Sequence, residues 1–392
     1  MKINVKRLIL KKCADNRLLK KTLTQYKIHK FSKHLRAKDV VLKCEKGEIS
    51  KQEAVDKAAA RWRRIVKRDN KTIESILKNA PDCRGLSSEQ QKEMRTDMLF
   101  CRFAYGFIPH EYICFHLMDK TADMRKQYVS ESDHMRYIYT MNDPVDIMIF
   151  NDKMKTYEKF GVYYHREVIS IESPEDYIRF EKFVKTHPVF VKKQVYESCG
   201  NSIERIDINS CGKTLDELFA DFLSQEKVIL EELVRQGETT AIFNPSSVNT
   251  IRCITFNTKD GIKAPYCFMK IGRAGSFVDN GGAGGILVGI DEITGITNTA
   301  GVDELRNVYD IHPDSGVQFS GHQLPEWDKM LAICKEMAEK IPSVPFIGWD
   351  FAYTDKNEWV VIEGNGMSQF IGPQTIWQRG IKSEVQKLMQ EL

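Results

Sequence analysis

Long apolar runs are absent from this 392-residue sequence. None approaches the ~18–20 residues a membrane helix needs, and no charged-then-apolar leader opens the chain, so neither a membrane span nor secretion is expected. Paired cysteines are missing too. The ten cysteines (13, 44, 83, 101, 114, 199, 211, 253, 267 and 334) form no Cys-x-x-Cys and no cluster with histidine. That excludes the usual zinc ribbon and a disulfide framework, and points to reduced thiols in the cytoplasm. Cys253 and Cys267 lie inside apolar runs, where a thiol behaves as a small hydrophobe. There is no complete Gly-x-x-x-x-Gly-Lys-Ser/Thr phosphate loop (Gly212-Lys-Thr214 has Asp207 where the first glycine belongs), no internal repeat and no aromatic-interleaved nucleic-acid motif.

What is present is an ordinary globular composition, 42% hydrophobic and 29% charged, long enough for two or three lobes. The net charge of +4 hides an imbalance: residues 1–70 carry 22 Lys and Arg against 7 Asp and Glu, a net of +15, which leaves −11 for the remainder. Such a basic arm suits an anionic membrane surface or nucleic acid, or simply the solvated faces of helices packed on a catalytic body; without a nucleic-acid motif, nucleic acid is not the expected partner.

Residues 1–80 read as helical, Pro81–Gly85 as a break, and Met94–Phe107 and Glu111–Met118 as further aromatic-rich helices. From about 145 the texture becomes mixed α/β. Helices are expected at Asn151–Phe160, Pro174–Lys185, Thr214–Leu223 and Leu324–Lys340. Strands are expected at Val168–Ile171, Val189–Lys192, Val228–Leu230 and Ile286–Ile290, with Ile251–Asn257 and Pro265–Ile271 joined as a hairpin by Thr258-Lys-Asp-Gly261.

The most informative stretch is 347–366. Two strand-like runs, Trp349–Tyr353 and Glu358–Ile362, flank a polar turn centred near Lys356. Asp350 lies six residues before that centre and Glu363 seven after, so both fall near one open end, and Asn365 shares the face of Glu363. Two carboxylates and an amide oxygen are hard ligands suited to Mg²⁺. A solvated hairpin end would carry the same trio, but both acids interrupt apolar runs, where an unpaired carboxylate is costly to desolvate.

Elsewhere, Lys192 leaves a strand before the small-residue loop Ser198-Cys-Gly200-Asn-Ser202, which can neutralise and cradle phosphate or form a plain hairpin turn. Val228–Val234 is an apolar strand running into Glu231 and Glu232. Arg252 sits inside a strand, where a guanidinium wants an anion, and Arg273 precedes the permissive glycine run Asn280–Gly285.

Taken in order, these pieces resemble the ATP-grasp superfamily. Val189–Ile206 is similar to its first-lobe strand, lysine and phosphate loop, Val228–Glu238 to its adenine hinge and ribose-side acid, and Asp350, Glu363 and Asn365 to its magnesium ligands. Ser247-Val-Asn-Thr-Ile-Arg252, Val278-Asp-Asn-Gly-Gly, Phe319-Ser-Gly-His, Ile347-Gly-Trp-Asp350 and the upstream Tyr105-Gly-Phe-Ile-Pro…Glu-Tyr resemble the sugar-transfer-associated branch; the resemblance covers about 95–380. Two departures stand out: the phosphate loop has a single glycine, and Thr-Thr-Ala-Ile-Phe follows Glu238.

The resemblance implies an α+β ATP-grasp fold, two lobes gripping ATP, preceded by a basic, mainly helical region. The expected division is 1–90 basic helical region, 91–148 helical or mixed segment, 149–235 small lobe and 236–392 large lobe with the magnesium site. It implies ATP and one or two Mg²⁺ ions. Lys153 and Lys192 would contact phosphates, with Ser198, Gly200 and Ser202 lining the loop. Glu231, Glu232 and Leu233 would hold adenine, and Glu238 the ribose. Arg252, Arg273 and Asn280 would serve catalysis. The implied activity is ADP-forming ligation of a carboxylate to an amine through an acyl-phosphate, in a polysaccharide or cell-surface pathway. The alternatives are phosphotransfer to a sugar-type hydroxyl and a non-catalytic docking module.

Overall fold

The computed structural model describes residues 16–32, 37–195, 203–225, 227–276, 279 and 284–392. Its first part is helical. Helices Lys38–Glu45, Lys51–Arg61, Arg63–Asn79, Ser88–Ala104 and Pro109–Cys114 enclose one apolar core running from Ala37 to Tyr128, which passes residue 90 without a break. The fourth of these begins at Ser88, six residues before the expected start. Ser87 and Gln90 form a reciprocal capping box, a signal the apolar pattern alone does not carry. Helix Arg17–Phe31 packs separately on Glu131–Met141, with Phe31 stacked on Tyr139 and Lys20 paired to Asp143 at 3.0 Å. Several basic-arm cations are thus spent on acids of the protein itself; Arg61 chelates Asp39 and Lys51 reaches Asp97 at 2.6 Å. Among the described residues no helix is long and apolar enough to cross a membrane.

Two antiparallel sheets follow. The small lobe has strands β1 (Val168–Ile171), β2 (Val189–Gln194), β3 (Glu204–Asp207) and β4 (Val228–Glu232), in the order β1-β4-β2-β3. Helices Tyr177–Thr186 and Leu215–Ser224 cover one face, burying Phe180, Phe183 and Phe222 against Phe190, Val228 and Leu230. The large lobe has β5 (Thr250–Thr258), β6 (Gly261–Ile271), β7 (Ile286–Ile290), β8 (Gly301–Val302), β9 (Val308–Tyr309), β10 (Phe346–Tyr353) and β11 (Trp359–Asn365), in the order β11-β10-β5-β6-β7-β8-β9. Helix Trp327–Glu339 covers one face, with Cys334 against Cys253 and Cys267 in an apolar interior.

The segment leaving β4 is fastened to the turn of the β10–β11 hairpin. Gly237 N–H donates to the Tyr353 carbonyl at 2.8 Å, and Asp355 N–H donates to the Arg235 carbonyl at 3.0 Å. Ile229, Val168 and Val195, on the small-lobe face opposite the helices, join the large-lobe core. The cleft therefore lies between that face and the β10–β11–β5–β6 surface.

Candidate active site

The β10–β11 hairpin forms because two apolar runs flank a turn that Asn357 closes with a left-handed φ of 59°. Asp350 pairs with Glu363 and Gly348 with Asn365, while Phe351 pairs with Val361. The ladder thus skips Ile362, and this β-bulge explains the unequal spacing, six residues on one side and seven on the other, read from the sequence. Bulges re-aim side chains. Here the outcome is that the two carboxylates face each other across the hairpin.

Their surroundings differ. Asp350 is 1% exposed and fully engaged. Arg252 chelates it, Nε to Oδ1 at 2.5 Å and Nη2 to Oδ2 at 2.9 Å, and Lys270 Nζ donates to Oδ2 at 2.9 Å. Burial alone would push the Asp350 carboxyl up, but these two cations outweigh it and hold it well below the usual carboxylate range. Glu363 opens to the cleft and accepts no hydrogen bond from any described residue. The protein crowding round it and the charge of Asp350 push its carboxyl up, against the pull of Lys270, Arg252 and Lys193. Asn365 Oδ1 accepts from Met367 N–H at 2.9 Å.

Arg252 also donates to Ser368 Oγ at 3.3 Å, in the loop after β11. Beyond Lys270, at 3.9 Å, lies the buried Asp279, whose Oδ2 accepts from Thr250 N–H at 3.0 Å. Burial raises the Asp279 carboxyl despite Lys270.

Across the cleft, alternation along β2 separates two neighbouring lysines. Lys192 lies on the face of Phe190 and Leu230, under the helices, and its ammonium pairs with Glu204 of β3 at 3.0 Å. The expected phosphate contact at Lys192 is therefore corrected: β2 continues to Gln194, and Lys193 is the one on the cleft face. Lys193 donates to Glu231 at 2.9 Å, and Arg166 donates to the same oxygen through Nε and Nη2 at 3.2 and 3.0 Å. Burial would raise Glu231, but Lys193 and Arg166 bring it down to about 2. Its side chain is thus closed in a buried ion network.

Lys153, at the start of helix Lys153–Phe160, donates to the Gln194 carbonyl at 2.9 Å, where β2 ends. Glu232 accepts from Glu167 N–H at 3.1 Å, and with Leu233 it lines a cavity of about 290 Å³ beside the hinge, bounded also by Pro188, Val234, Thr354 and Val360. Glu238 is exposed at the head of the short helix Glu238–Ala241. Arg273 is chelated by Asp314, Nε to Oδ2 at 2.7 Å, which holds it on the large-lobe surface. Ser198, Gly200, Ser202 and Asn280 lie outside the described residues.

Four residues of the cleft escape the sequence reading: Arg166, Lys193, Lys270 and Asp279. Counting back from the Thr258–Gly261 turn would set Lys270 opposite Asn249, on the other face from Arg252. A register shift between Ile254 and Phe256 moves Lys270 opposite Thr250 instead, beside Arg252. Nothing local announces that shift.

Two facing α+β lobes around a cleft of carboxylates and cations define an ATP-grasp fold. Residues 132–390 match the family model described as sugar-transfer associated ATP-grasp, and the chain belongs to this family. Solved structures with similar folds include the ATP-grasp ligase PsnB complexed with minimal precursor, at 10% identity and TM-score 0.40, covering 67% of this chain and 68% of that one. The D-alanine-D-alanine ligase from Coxiella burnetii aligns at 11% identity and TM-score 0.39, covering 63% and 58%. The VanG D-Ala:D-Ser ligase from Enterococcus faecalis aligns at 13% and 0.40, covering 64% and 62%. No curated protein matches the sequence.

Proposed function

We propose that this protein is an ATP- and Mg²⁺-dependent, ADP-forming ligase that activates a carboxylate as an acyl-phosphate and joins it to an amine. The observation that carries the reading is the pairing of Asp350 with Glu363: two carboxylates meet across one hairpin, both cations go to Asp350, and Glu363 has no donor among the described residues. A divalent cation meets that deficit, and the donor set is hard oxygen throughout. Asp350, Glu363 and Asn365 are the residues that would hold Mg²⁺, which when bound neutralises charge between the β- and γ-phosphates.

The chain's own residues then have distinct tasks. Arg252 and Lys270 hold Asp350, and their fixed positive charge would also serve a phosphoryl group placed beside them. Lys193 and Lys153 place positive charge on the small-lobe side, and the hinge cavity at Glu232 and Leu233 takes the base, with Glu238 on the ribose side. Transfer breaks the bond between the γ-phosphorus and its bridging oxygen and forms one to the substrate carboxylate. Attack by the amine then expels phosphate from the acyl carbon. No protein nucleophile is required, because the substrates react with one another. We assign 149–235 to the small lobe and 236–392 to the large.

Incubation with ATP, Mg²⁺ and panels of acid and amine pairs tests this. ADP and phosphate appearing only with a productive pair is the expected outcome. AMP with pyrophosphate overturns the reading, as does phosphate retained on the substrate as a stable ester.

A further inference from the structure

Arg166 precedes β1, far in sequence from the hairpin, and is 8% exposed. Each of its five N–H donors finds an acceptor. Nε and Nη2 reach Glu231 Oε2 at 3.2 and 3.0 Å. Nη1 reaches the Val361 carbonyl at 2.5 Å and the Tyr164 carbonyl at 3.3 Å. Nη2 also reaches the Ile362 carbonyl at 3.4 Å. The guanidinium lies over the Tyr164 ring, 4.4 Å from its centroid, which fixes its plane.

Two of those acceptors are unusual. β11 is the outer strand of its sheet, so one row of its backbone groups has no neighbouring strand. Ile362 is the residue that the ladder skips, immediately before Glu363. Arg166 therefore grips the outer edge at the bulge that aims Glu363, while its other side grips the carboxylate at the end of β4, where the hinge begins.

We propose that Arg166 is a positioning residue that sets Glu363 for metal binding from the nucleotide-binding lobe, so that occupancy of the hinge and metal affinity at Glu363 are coupled. This rests on the ligase reading above. Arg166 also lines the hinge cavity, but toward Glu363 it acts only through the Val361 and Ile362 carbonyls. Lysine cannot replace it, since one ammonium has three donors and no fixed plane with which to span a carboxylate and two carbonyls.

The test is calorimetric titration of ADP into the full chain with and without Mg²⁺, which gives the factor by which the metal tightens ADP. Such coupling factors are typically ~5–150. In Arg166→Lys, which retains a charge for Glu231, that factor falls toward one, and because it is a ratio it is read independently of any change in ADP binding without metal. Phe222→Leu, which loosens the small-lobe core away from the network, serves as the control for lost stability. Should Arg166→Lys keep the wild-type factor, or lose it only as far as Phe222→Leu does, Arg166 is structural and the proposal is overturned. If Arg166→Lys does not fold, Arg166→Gln/Glu231→Gln removes both charges and is read the same way. A wild-type protein that binds no ADP, or binds it indifferently to Mg²⁺, overturns the ligase reading itself.

Discussion

Glu231 in the small lobe and Glu363 in the large lobe are both carboxylates among cations, yet they sit in opposite electrostatic states. Around Glu231 the account closes: Arg166 and Lys193 share its oxygen, and its carboxyl is drawn down to about 2. Around Glu363 it stays open, because Asp350 takes both Arg252 and Lys270. The Glu363 carboxyl is consequently pushed up by the protein crowding round it and by its acidic neighbour. A completed network holds the lobe together; an incomplete one marks where a cation is wanted. Removing a partner from the first should cost stability, and changing the second should cost function alone.

The largest expected effect tests the open side. Glu363→Gln lowers turnover at least ~100-fold, the scale of a lost electrostatic contribution in the transition state. The same change relieves repulsion with Asp350, so the ligand-free variant melts on the order of 1–3 °C higher than wild type. Near-normal ADP release, or a lower melting temperature, would erase the contrast between the two carboxylates.

The closed side should respond in stability. Glu231→Ala leaves Arg166 and Lys193 buried without their counter-charge and costs about 3–5 kcal/mol in urea unfolding. The pH dependence has a definite sign. The folded-state pKa of Glu231, about 2, lies below the unfolded value, so its contribution is complete above the unfolded range and is lost as pH falls toward 2. Asp350 acts in the same direction. Glu363 acts in reverse: its raised carboxyl favours the fold at low pH, and that contribution is lost as pH rises through its folded value. Melting temperatures of Glu231→Gln should accordingly fall less between about pH 5 and pH 2 than those of wild type; parallel curves would show that Glu231 is not held as described.

The smallest effect separates neighbours. Lys193→Met weakens ADP binding about tenfold, equivalent to ~1.4 kcal/mol, whereas Lys192→Met changes it less than about twofold. Equal losses would mean that β2 presents the other face to the nucleotide.

Much of this architecture is legible in local patterns. The strands of the 347–366 hairpin, the Thr258–Gly261 turn, β7 and the helix capped by Thr214 and Glu217 all follow from apolar runs and turn or cap chemistry. The convergence of Asp350 and Glu363 was reachable by counting from the turn. The choice between Lys192 and Lys193 was not, because a one-residue extension of a strand says nothing about which face a second layer covers. Lys270 was hidden by the register shift in β5 and β6, and Asp279 by its distance in sequence from Thr250, from whose N–H it accepts a hydrogen bond.

Turns, caps and short apolar runs act over a handful of residues, so the chain alone determined the 251–271 and 347–366 hairpins and that acids would gather at one hairpin end. Which lysine faces the cleft, and which carboxylate has no cation among the described residues, was decided in three dimensions. Two register shifts rephase the strands there, and Arg166 reaches a carbonyl 195 residues along the chain. Ion pairing over such separations depends on how lobes and strands are stacked, and no short-range pattern encodes that.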